Sequence, residues 1–98
     1  MAHPYWVMAV SIPTSRPEGA FGLADELERA LGPRSGSGVG FSAAGPCRDI
    51  DWSFLSEETA REAKQKALAF FSERAIPTDN TAGAVQIDVL DYEDEEAA

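Results

Sequence analysis

Apolar residues recur at every second position over 5–12 and again over 47–54, and each stretch is followed by one in which they recur at helical spacing. Strand side chains alternate between two faces and helical ones return every three to four positions. The pattern therefore fixes two strand-then-helix pairs before anything else is considered. In the first, Trp6, Met8, Val10 and Ile12 share one face, and Tyr5, Val7, Ala9 and Ser11 the other. Both faces are largely apolar, which suits a central strand. Pro13, Pro17 and Gly19 end it. A helix is expected from about Phe21 to Leu31, with Leu23, Leu27, Ala30 and Leu31 as its inward stripe. Gly32 stands at the expected C-cap, and Pro33 blocks continuation.

Residues 34–38, RSGSG, read as a flexible connection, and Val39 to Ala43 as a weak strand suited to a sheet edge because of Gly38 and Gly40. Ala44, Gly45 and Pro46 read as a hairpin turn. Cys47 to Phe54 is the third strand. Its alternation sends Arg48, Ile50, Trp52 and Phe54 to the core side and Cys47, Asp49, Asp51 and Ser53 to the other. Ser56 is a suitable N-cap, with Glu57 and Glu58 favourable to the dipole of a helix that reaches about Ala75. Ala60, Ala63, Ala67, Phe70 and Phe71 form its inward face, and Glu57 with Arg61 and Glu62 with Lys66 are helical ion pairs. A turn-rich loop, 77–83, precedes a last strand from Ala84 to Tyr92. Val85, Ile87 and Val89 lie on one of its faces, and Gln86, Asp88, Leu90 and Tyr92 on the other.

The order strand, helix, strand, strand, helix, strand implies an α+β fold of the ferredoxin-like βαββαβ kind: a four-stranded antiparallel sheet with two helices on one face. The first and third strands should be central, and the second and fourth at the edges. Residues 1–92 are read as a single α+β domain and 93–98 as an acidic disordered tail.

Charge narrows the choice of partner. Of 98 residues, seventeen are acidic and eight are Lys or Arg, for a formal net charge of -9. Glu93, Asp94, Glu95 and Glu96 hold four of the acids, so thirteen still oppose eight bases in the remainder. No basic stripe is present to displace counterions from nucleic acid, and an anionic membrane surface would repel the chain. A basic protein partner suits it better. A single cysteine, Cys47, rules out an internal disulfide and fits a reducing compartment. The N-terminal segment lacks the pattern of a signal peptide, and no run is long enough to span a membrane, so a cytoplasmic location is expected. Many alanines beside few isoleucines and lysines suit a GC-rich bacterial genome.

Catalytic motifs are scarce. Asp49 and Asp51 form a D-x-D that Asp88 could join from another strand, yet two or three carboxylates alone are better explained as a solvated or docking face than as a metal or acid/base site. His3 is near the terminus, and Cys47 has no CxxC partner or adjacent histidine. The glycines of RSGSGVGFSAAG follow a helix and precede a strand, the reverse of a phosphate-binding loop. No zinc spacing and no RNA-binding aromatic motif is present. No catalytic residue, metal or cofactor is therefore assigned.

If both helices cover one side, the other exposes Tyr5, Val7, Ala9, Asp49, Asp51, Gln86, Asp88, Leu90 and Tyr92. An apolar surface rimmed by carboxylates has the character of a docking face. Tyr5, Asp49, Asp51, Asp88 and Tyr92 are its candidate contact residues. The expected function is a non-catalytic acidic interaction module, in concrete form an inhibitor or immunity-type protein against a basic toxin or nuclease. The alternative is a homodimer whose paired sheets enclose a small-molecule pocket, as a binder or simple enzyme, with Tyr5, Trp6, Trp52 and Tyr92 lining or bordering it. A third possibility is an accessory subunit whose partner supplies the activity.

Overall fold

The computed structural model describes residues 3–42, 45–78 and 83–94. The elements follow the expected order: β1 (His3–Pro13), α1 (Ala20–Leu31), β2 (Gly36–Ser42), β3 (Gly45–Phe54), α2 (Glu57–Glu73) and β4 (Gln86–Asp94). The four strands form one sheet in the order β2-β3-β1-β4, and every neighbouring pair is antiparallel. The first and third strands are thus central and the second and fourth lie at the edges. Both helices pack on the same side of the sheet and against each other.

The period-two assignments hold where the core is made. Met8, Val10 and Ile12 of β1, Ile50 and Trp52 of β3 and Ile87 of β4 are buried under Leu23, Ala24 and Leu27 of α1 and Ala63, Ala67, Phe70 and Phe71 of α2. Burying a large apolar side chain of this kind stabilises the fold by about 1.5–3 kcal/mol. The alanines of α2 let its backbone lie close to the sheet, while Phe70 and Phe71 meet edge to face at 5.0 Å and fill its far end. Trp52 does more than fill space. Its indole Nε1–H donates to the Gly32 carbonyl at 2.9 Å, so the end of α1 is tied to β3. Gly32 itself has φ 100°, a conformation that a side chain would strain. At the start of α2, Ser56 accepts from the Thr59 backbone N–H, as its N-cap role requires.

Several boundaries differ from expectation: β1 begins at His3 rather than Tyr5, β4 at Gln86 rather than Ala84, and Gly45 and Pro46, expected in a turn, pair with Ser42 and Phe41 as the start of β3. The sequence RSGSG predicts a flexible connection, yet β2 begins at Gly36, because register with β3 extends past Val39 as Gly38↔Asp49 and Gly36↔Asp51. Strand pairing there overrides the poor strand propensity of glycine. At the other edge, β4 continues through Glu93 and Asp94, which pair with Pro4 and His3 of β1. The expected tail therefore starts inside a strand, because β1 itself extends back to His3 and offers a pairing partner. Residues 95–98, and Ala43 and Ala44 of the expected second strand and hairpin turn, lie outside the described residues. Finally, α2 ends at Glu73, two residues short of the expected limit, and Ala75 takes a positive φ of 56°.

Candidate functional site

The side of the sheet away from the helices is open, and pairing arranges its residues in rows across the strands. One row runs Gly36, Asp51, Ala9, Asp88. The next runs Gly38, Asp49, Ser11, Gln86. Gly40, Cys47 and Pro13 make a third. Directly paired residues share a face, so three aspartates from two strands stand on one surface. Neighbouring strands are about 4.8 Å apart, which places Asp51 and Asp88 about 10 Å from each other across Ala9.

Asp49 is held in place. Ser11 Oγ donates to its Oδ1 at 2.6 Å, and the Cys47 thiol lies 3.4 Å from the same oxygen. Such a short bond to a charged acceptor is of the stronger kind. Asp49 and Asp51 are half-buried and Asp88 is exposed. On the β2 side the floor is bare backbone. A Cβ at Gly40 would come within 2.7 Å of Asp49 Oδ2, and one at Gly36 within 3.2 Å of both Asp51 carboxylate oxygens. The two carboxylates thus lean over β2 and occupy the room that its glycines leave.

The cations are elsewhere. Among the described residues Arg48 is the only Lys or Arg in a strand, and it faces the helices, where its guanidinium lies 4.9 Å from the Phe21 ring and donates to the Gly38 carbonyl. Arg16 pairs with Glu18 at 2.9 Å, Arg61 with Glu57 at 2.8 Å, Arg34 with Glu28 and Asp25 at 3.7 and 3.8 Å, and Arg74 with Glu26 at 3.9 Å. Every one of these acids lies in a helix or its approach. Among the described residues no cation pairs with Asp49, Asp51 or Asp88.

Cys47 is buried, and its position on the open face does not make it a nucleophile. Burial pushes its thiol pKa up, and the neighbouring Asp49 carboxylate pushes it further. A reactive cysteine needs the opposite environment. Among the described residues no group of three His, Cys, Asp or Glu side chains is arranged to hold a metal ion.

Of the five candidate contact residues, Tyr5, Asp49, Asp51 and Asp88 share the open face, and Tyr92 pairs with Tyr5 in register. The tryptophans of the pocket alternative do not belong there. Trp52 is buried under the helices, and Trp6 has the same strand parity as Met8 and Val10. Neither can line a cavity between two paired open faces. The alternation of 5–12 and 47–54 already carried that information. What the sequence reading missed was the Ser11–Asp49 bond and the role of the glycines. The signal was the shared period of two in Gly36, Gly38, Gly40 and in Cys47, Asp49, Asp51, read against each other through a tight hairpin.

Comparison of the chain with protein-family models, with curated proteins and with solved structures found no match. Among the described residues no helix is long and apolar enough to cross a membrane.

Proposed function

We propose that this chain is a non-catalytic acidic interaction module whose open sheet face binds a basic protein, most concretely as an inhibitor or immunity-type protein. One observation carries the reading. The arginines near carboxylates are engaged in or beside the helices, while Asp49, Asp51 and Asp88 stand together on the open face with, among the described residues, no cation of their own. Ser11 fixes one of them in advance, so a cationic partner meets a preformed charge. Leu90, 42% exposed, adds apolar area in the neighbouring row beside Val7. Surfaces of this make-up steer and orient charged partners.

The strand order, taken from its other edge, is β4-β1-β3-β2, with each strand–helix–strand connection skipping one strand. That supports assignment to the ferredoxin-like arrangement. A buried free thiol fits a reducing compartment such as the cytoplasm. Pairing two open faces in a homodimer would set three aspartates against their own copies, so like-charge repulsion favours a basic partner over self-association.

The test is affinity capture from native lysate with the wild-type chain and the Asp49→Lys/Asp51→Lys variant in parallel, the mass of each complex read by light scattering. A stoichiometric basic protein held by the wild type and lost by the variant is expected. Capture that is indifferent to charge reversal, or a chain that elutes alone, contradicts the reading.

A further inference from the structure

The two edges of the sheet are built differently. β4 carries Asp88, Asp91, Glu93 and Asp94, the kind of charge that guards an edge against further pairing. β2, GSGVGFS, carries no charge and no proline, and it is paired on one side only, to β3. Neither helix packs on it. Val39 and Phe41 are 71% and 86% exposed on the helix side of the sheet, beyond the reach of α1 and α2. On the open side the glycines leave Asp49 and Asp51 leaning over the β2 backbone toward the same edge.

We propose that the outer edge of β2 is a strand-addition site, and that its occupant is an extended segment of the partner with basic and apolar residues in alternation. The proposal rests on the acidic-face reading and supplies the chemistry of the partner at that face. An added strand would lie about 4.8 Å beyond β2 and present alternate residues to opposite sides. Its residues on the open side meet two carboxylates across bare glycine backbone, where lysine or arginine is complementary. Its residues on the helix side meet Val39 and Phe41, where valine, isoleucine or leucine is complementary. Backbone hydrogen bonds give affinity and the two rows of side chains give register. A second copy of this chain fits less well. Its β2 would offer glycine or serine where a cation is needed and leave the carboxylates uncompensated.

The probe is a capped seven-residue peptide alternating lysine and valine, compared with a peptide of the same composition with the lysines grouped, and with an alternating peptide N-methylated at every second amide. Binding is followed at low salt by amide shifts and amide exchange in the ¹⁵N-labelled chain. The alternating peptide should bind about tenfold tighter than the grouped one. It should slow exchange within 36–42 and lose binding on N-methylation. Gly38→Leu is the matching variant. A Cβ at Gly38 meets nothing within 4 Å, so the chain should fold normally, yet the added side chain stands between the edge and the carboxylates. It should weaken the alternating peptide about tenfold. Binding that ignores residue order and N-methylation and moves amides of β1 and β4 instead overturns strand addition while leaving the acidic face as the docking surface. Absence of binding by all three peptides also overturns it, with the capture experiment above judging the acidic face separately. Slow exchange of 36–42 in the free chain, growing with dimer concentration, assigns the edge to a second copy and overturns it as well.

Discussion

Trp52 and Asp51 are adjacent in sequence and have opposite tasks. Alternation alone separates them: Trp52 goes to the helices with Ile50, and Asp51 to the open face with Asp49. That division was legible because a buried strand face leaves a periodic record. The hydrogen bond from Trp52 to Gly32 was not, since it joins positions twenty residues apart and depends on how α1 ends. Trp52→Ala should lower stability by about 3–5 kcal/mol, measured by chemical denaturation, because it opens a cavity and leaves the Gly32 carbonyl without its donor. Cys47 gives a second test. Its thiol pKa is raised on folding, so the folded chain holds that proton more tightly than the unfolded one. The stabilising contribution is whole below the ordinary thiol pKa and is lost as pH rises through the raised one. At pH 8 the native chain should therefore alkylate much more slowly than the unfolded chain, and Asp49→Asn should speed the native reaction by removing one of the two causes.

At the scale of elements, β2 shows where local propensity misleads. Gly36 and Gly38 read as part of a connection and Gly40 as a weakness in a short strand, yet each of the three is set opposite a β3 residue whose side chain shares its face. The cause is steric and non-local, and no window along the chain displays it. Gly38 and Gly40 should accordingly respond differently to the same substitution. Gly38→Ala has open space and should be neutral or stabilising by up to about 1 kcal/mol through reduced freedom of the unfolded chain. Gly40→Ala would set a methyl against Asp49 Oδ2, whose carboxylate Ser11 holds, and should lower stability by about 1 kcal/mol or more. Thermal denaturation of the pair decides the matter; equal effects would mean that Asp49 is not fixed. The start of α2 was legible because capping is a local device. Ser56→Ala should cost about 1 kcal/mol in the same assay.

The whole molecule separates its charges by side. Net acidity was plain from composition, and the open face was legible once alternation and element order were combined. The Glu57–Arg61 pair was legible from its helical spacing, whereas the partners of Arg16, Arg34 and Arg74 were not, because long side chains choose partners outside their own helix only after the elements are placed. The segregation predicts that Asp51→Lys leaves the fold nearly as stable as before, within about 0.5 kcal/mol, that Asp49→Lys costs about 1 kcal/mol or more because Ser11 loses its acceptor, and that the double change removes the affinity for a basic partner. The most direct measurement is zero-length carbodiimide cross-linking of the captured complex, followed by mapping of the joined residues. The account predicts amide bonds from lysines of the partner to Asp49, Asp51 or Asp88. Cross-links confined to helix acids such as Glu26, Glu58 and Glu62, with the three aspartates untouched, would contradict it.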